Sequence, residues 1–150
     1  MNSREAIYAA LFARLQTINS NLVAGASAIQ TFSRRFVPAS RVDLQPALLM
    51  LETGEDYEHP AFGVPPKVTL TAQVLIYTRD GTDPNAVTAT GLNRILDSLD
   101  AALTPVLPGE QTLSGLVQWV RIARRQTIYD APQDVTQATT TLEIQMLATS

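Results

Sequence analysis

The stretch that decides the fold is Lys67-Val-Thr-Leu-Thr-Ala-Gln-Val-Leu-Ile-Tyr-Thr-Arg79. Val68, Leu70, Ala72, Val74 and Ile76 alternate with Thr69, Thr71, Gln73 and Tyr77, the period of two expected of a strand with one buried face. Only Leu75 interrupts the polar side.

Downstream, Val135 to Ala148 repeats the pattern: Ala138, Thr140, Leu142, Ile144 and Met146 alternate with Thr139, Thr141, Glu143 and Gln145. Leu116 to Tyr129 reads as its partner, joined to it through Asp130-Ala-Pro-Gln-Asp134 after a turn at Pro108-Gly109. Upstream, Pro46-Ala-Leu-Leu-Met-Leu51 is a short buried strand with its proline at the first residue, where a missing donor does least harm. Ala28 to Val37 suits an edge strand whose Arg34 and Arg35 blunt unwanted pairing. Between the strands, residues 52–66 carry Glu52, Glu55, Asp56, Glu58, the lone histidine His59 and three prolines, and read as an irregular acidic loop.

Two segments read as helices. In the first, Ser3 is the N-cap, and Ile7, Tyr8, Leu11, Phe12, Leu15, Ile18 and Leu22 follow the three-and-four spacing of one buried face. In the second, Asp83 caps and Pro84 opens the helix, Leu92, Ile95, Leu96, Leu99 and Leu103 form the buried stripe, and Pro105 stops it. Gly91 inside this helix suggests close approach to a sheet, since glycine there costs about 1 kcal/mol relative to alanine. The order is α-β-β-β-α-β-β. It predicts one α+β domain over residues 1–150, with a mostly antiparallel or mixed sheet of about five strands and both helices on one face.

Composition narrows the function. The 150 residues include 11 basic and 14 acidic side chains, a formal charge of −3, and no cysteine. The charge argues against a general nucleic-acid binder, and the missing cysteines exclude disulfides, thiolate zinc sites and cysteine nucleophiles. No apolar run approaches the ~20 residues of a membrane span, so no membrane partner is expected. The glycines match neither a dinucleotide fingerprint nor a phosphate-binding loop. His59, followed by Pro60, has no glycine-flanked serine nearby with which to build a hydrolase triad. Glu55, Asp56, Glu58 and His59 fit no calcium-loop spacing and make a poor zinc site. Asp97 and Asp100, one helical turn apart, read as ordinary solvated acids opposite the leucine stripe. No catalytic residue, metal or cofactor is expected.

The arginines carry more information. Ten of the eleven basic residues are arginine, with pairs at Arg34-Arg35 and Arg124-Arg125 and a further Arg121. Arginine is favoured where a planar, multi-donor group meets carboxylates across an interface; guarding exposed strands from aggregation is the competing reading. Trp119, with Val117, Val120 and Ile122, places apolar groups on both faces of one strand. That strand is expected to be covered on both sides, by the second layer or by another copy of the chain.

Several phrases resemble small tail proteins of long-tailed bacteriophages. They are the helix Arg4-Glu-Ala-Ile-Tyr-Ala-Ala-Leu-Phe-Ala-Arg-Leu15, Phe32-Ser-Arg-Arg-Phe36, Gln45-Pro-Ala-Leu48, Gly54-Glu-Asp56, Pro65-Pro-Lys-Val-Thr-Leu70, Leu92-Asn-Arg-Ile-Leu96 with Leu99-Asp100, and Gln111-Thr-Leu-Ser-Gly-Leu116. The family they resemble is the tail terminator, or tail completion, proteins.

The resemblance implies an α+β subunit that closes into a ring, typically of six copies. Such a ring caps the tail tube, ends its growth, and presents a surface to the head connector. The subunit would belong to the virion, at the head-proximal end of the tail, after assembly in the host cytoplasm. Its partners would be itself, the tube protein and the connector, with genomic DNA passing the bore unbound. The family brings no catalytic residues to transfer. A tube subunit or head-side connector would read much the same, and a small-molecule binding module or enzyme on an α+β scaffold is the reading from another class.

A head-to-tail contact that closes by rotation needs two different, complementary patches. The acids Glu55, Asp56 and Glu58 and the arginines Arg34, Arg35, Arg121, Arg124 and Arg125, with Trp119, are the candidates for such opposites.

Overall fold

The computed structural model describes residues 3–79, 90–103, 112–130 and 135–147. Helix α1 (Arg4–Gln16) leads into a 3-10 turn (Thr17–Ser20); strands β1 (Thr31–Ser33), β2 (Ala47–Glu58) and β3 (Lys67–Arg79) follow, then α2 (Thr90–Leu103), β4 (Val117–Asp130) and β5 (Val135–Met146). The five strands form one mixed sheet in the order β1-β2-β3-β5-β4, with β1 parallel to β2 and every other pair antiparallel. This is the expected α+β architecture. The expected caps at Asp83 and Pro84, the stop at Pro105, and the turns at 108–109 and 131–134 lie outside the described residues.

The Ser3 hydroxyl accepts a hydrogen bond from the Ala6 amide at 3.1 Å and caps α1. Ile7, Tyr8, Leu11 and Leu15 of α1, and Ile18 just beyond, are buried. They pack with Leu92, Ile95 and Leu99 of α2 against Leu48, Met50, Leu70, Ala72, Val74, Ile76, Leu142 and Ile144 of the sheet. Both helices therefore cover the sheet face chosen by the alternation in β3 and β5. Each large aliphatic side chain removed from water there contributes about 1.5–3 kcal/mol.

The other face is not wholly wet. Val42, Ala47, Leu49, Leu75, Tyr77 and Val135 form a second, smaller core, with Val37, Ala39 and Leu51 at its margin. Its cover is the crossover between β1 and β2, which explains both the apolar Leu75 and the burial of Tyr77, a residue expected on the polar side. Beyond this cover the helix-free face carries Thr69, Thr71, Gln73, Thr139, Thr141 and Gln145, all half-buried at most.

Three local expectations are corrected. Residues 52–58 are not a loop: β2 continues to Glu58, in register with β3 from Ala47↔Tyr77 to Glu58↔Lys67 with a bulge between Glu52 and Gly54. The apolar pattern stops at Leu51, but the ladder with β3 does not. The edge strand expected over 28–37 shrinks to Thr31–Ser33, the stretch that pairs with Ala47–Leu49. A Cβ at Gly91 would meet nothing within 4 Å, so this glycine marks no close approach.

Candidate interaction surface

Because successive strand residues face opposite sides, the extension of β2 divides the acids. Glu52, Glu55 and Tyr57 lie opposite Ala72, Leu70 and Val68 and share the helix face, whereas Asp56 and Glu58 lie opposite Thr69 and Lys67 on the other. On the helix face the acids meet the start of α1. Arg4 pairs with Glu55, its Nη2 donating to Glu55 Oε2 at 2.9 Å and to Tyr57 Oη at 3.0 Å, while the Tyr57 hydroxyl donates to Glu55 Oε2 at 2.6 Å. Arg34 Nη1 donates to Glu5 Oε1 at 2.6 Å and its Nη2 to Glu52 Oε1 at 2.7 Å, so one guanidinium joins helix and strand.

These contacts set the titration of the cluster. Hydrogen bonds from Arg4 and Tyr57 hold the Glu55 carboxyl below the usual carboxylate range, and Arg34 does the same to Glu5. The Tyr8 phenol beneath them is pushed up to about 12, first by burial and then by the charges of Glu52 and Glu55. Arg4 and Arg34 are held still more firmly protonated, chiefly by hydrogen bonds to the same acids.

At the opposite edge of the sheet, Arg124 and Arg125 diverge. Register places Arg125 opposite Thr140 and Arg124 opposite Thr141, on different faces of β4. Arg125 turns to the helix side, donating from Nη2 to Asp100 Oδ1 at 2.7 Å and from Nε to Thr140 Oγ1 at 2.8 Å. Arg124 is exposed. On its face, the Arg121 guanidinium lies 4.5 Å from the Trp119 ring centroid and bonds Glu143 Oε2 at 2.8 Å, a combined cation–π and ionic contact.

The second layer covers only the beginning of β4: Val117 is buried and Val120 half-buried against the core, while Ile122, Ile128 and Tyr129 are exposed. At the other end of the sheet, Tyr57, Phe62 and Val64 are exposed around the β2–β3 connection. The chain thus carries different apolar side chains at the two ends of its sheet.

The candidate arginines and acids do not form one site. Arg34 and Glu55 are used in pairs within the chain, Arg121 and Trp119 form a cluster on β4, Asp56 and Glu58 lie exposed together on β2, and Arg35 and Arg124 lie exposed elsewhere. Residue reading missed Arg4, Glu5, Asp100 and Glu143 as partners, because no short spacing links Arg4 to Glu55, 51 positions on. Phe62 did leave a signal, an aromatic residue set between Pro60 and Pro65-Pro66.

Among the described residues no group of three or more His, Cys, Asp or Glu side chains is placed to hold a metal ion, and no helix is long and apolar enough to cross a membrane. His59 is exposed.

No protein-family model matches the chain, and no curated protein matches it. Among solved structures, the fold is similar to that of a chain in a structure described as "Virion of native gene transfer agent (GTA) particle". The two are 11% identical, with a TM-score of 0.54 over 93% of this chain and 90% of that one. A chain in a structure described as "Cryo-EM Structure of an Extracellular Contractile Injection System, PVC sheath/tube terminator in extended state" is 10% identical. It matches with a TM-score of 0.45 over 98% of this chain and 58% of that one.

Proposed function

We propose that this chain is a structural, non-enzymatic subunit of a phage-like tail, a single α+β domain that closes into a ring of about six copies on the head-proximal end of the tail tube. In that position it ends tube growth and offers its outer surface to the head connector. The ring is assembled in the host cytoplasm and carried in the virion.

The observation that most supports this reading is the fold shared over nearly the whole chain with a component of a gene transfer agent virion. The resemblance of several of its phrases to tail terminator proteins supports the more specific position. The two unlike ends of the sheet add a physical reason, because a heterologous contact between unlike patches generates rings when the rotation closes. The excess of acids also suits a bore that DNA crosses without sticking, since lumenal arginines would retain phosphates.

Light scattering and electron microscopy of the purified protein, alone and with tube protein, test the reading. Closed single rings, or rings formed on tube ends that then stop lengthening, support it. Indefinite stacking would assign the chain to the tube instead, and a monomer that leaves tube growth untouched would refute a terminator.

A further inference from the structure

We propose that the tip of the β2–β3 hairpin is a preformed knob that seats in the hollow beside the β1–β2 crossover of a second copy of this chain. The inference deepens the self-assembly reading above and rests on it.

The knob is built by the backbone. The Val64 amide donates to the Ala61 carbonyl at 3.2 Å, closing a turn, and Gly63 in its third position holds φ at +78°, a conformation that favours glycine. Phe62, the second residue of that turn, is entirely exposed, and Tyr57 and Val64 beside it are about half-exposed. Pro60, Pro65 and Pro66 bracket the turn and restrict its backbone. A phenyl ring held in water on a restricted turn has little ordering entropy left to lose on binding.

The hollow has a volume of about 300 Å³ and is lined by Val37, Val42, Leu44 and Leu49, with Arg41 and Asp43 at its polar side. A cavity of about 150 Å³ accepts benzene, so there is room for a phenyl ring. The two features cannot meet within one subunit: Leu49 and Glu58 are nine residues apart on the same strand, about 30 Å at 3.3 Å per residue.

Charge favours unlike ends meeting. Asp56 and Glu58, with Lys67 opposite the latter, leave the tip with an excess of acid, while the charged lining of the hollow is balanced, Arg41 against Asp43, and offers the tip acids a guanidinium. Two tips facing each other would set acid against acid. Tip to hollow is therefore a head-to-tail contact, and one that repeats from copy to copy.

The chain has no cysteine, so introduced thiols report contacts without background. Chains bearing Phe62→Cys and chains bearing Leu44→Cys, both exposed positions, are mixed at assembly concentration and oxidised. The mixed disulfide should form far in excess of either self-linked product, and the doubly substituted chain should give a ladder of linked copies. Phe62→Ser should weaken self-association about tenfold or more with unchanged melting.

No mixed disulfide, or a Phe62→Ser chain that associates as the parent does, overturns the knob. If closed rings still form in that case, the ring reading stands on other surfaces. A mixed disulfide found in open-ended filaments supports the knob and removes the ring.

Discussion

Arg125 reaches from the last hairpin to the second helix, its Nη2 lying 2.7 Å from Asp100 Oδ1. The same guanidinium donates to the buried Thr140 hydroxyl, so it pins the outermost strand both to its neighbour and to the layer above. Arg124, one residue earlier, occupies the other face.

That contact sets a stability expectation. Arg125→Ala should cost about 1–2 kcal/mol, since an ion pair and a bond to a buried hydroxyl are lost together. In a chain of this size this is a fall in Tm of several degrees, at about 2–4 °C per kcal/mol. The pair is partly solvated, so a double-mutant cycle with Asp100→Asn should return a coupling of only about 0.5–1 kcal/mol. Thermal unfolding of the four chains measures both.

Substitution of Arg124 by glutamate should separate assembly from folding. Arg124→Glu should leave stability within about 0.5 kcal/mol, as for other exposed substitutions, while lowering self-association or tube binding. Reversal of both arginines would confound the two effects. Sedimentation beside thermal melting decides the matter; normal assembly by the single variant would free this residue of any interface role.

Acid should loosen the junction of α1 with β2. Glu5 and Glu55 have folded pKa values below their ordinary ones. Their contribution is therefore fully present above the ordinary carboxylate value of about 4.3 and is lost as pH falls through the lowered folded values. Urea midpoints should drop over that interval, and the drop should shrink in Glu5→Gln/Glu55→Gln. Salt should weaken the same contribution, because both carboxylates face solvent.

Alkali should act through Tyr8. Its folded phenol titrates near 12, above the ordinary value of about 10. The folded state keeps a proton that the unfolded chain releases, so stability declines from about pH 10 to 12. Tyr77 is raised by burial and adds in the same direction. Phenolate absorbance should report these two rings titrating late, or together with unfolding. Tyr8→Phe should shift the alkaline midpoint upward.

The sheet was legible wherever one face alone was apolar. β3 and β5 show the period of two because α1 and α2 cover only the Leu70 and Leu142 side. The second half of β2 was hidden because nothing apolar marks it. Glu52 and Glu55 sit on the covered side, where leucines would be expected, and are tolerated there because Arg34 arrives from the crossover and Arg4 from α1. Charges that are satisfied only by tertiary contacts look like loop residues in a sequence. The arginine pairs were visible as pairs, but the division of Arg124 from Arg125 follows from strand pleating and register. Of the outward apolar residues at the two ends, Phe62 stood out among its prolines, but Ile128 and Tyr129 read as ordinary strand residues until the ends were known.

The arginine staples between α1 and β2 have a mechanical consequence. A pull on residues 59–66 draws β2 and β3 together along their axis, and the ladder of β3 with β5, eleven register pairs long, lies across that axis. The bonds are loaded in shear, all together, instead of peeling one after another. Arg4 and Arg34 add the helix to the same load path. The hairpin is thus a strut braced at mid-length, built to bear tension applied at its tip without unravelling.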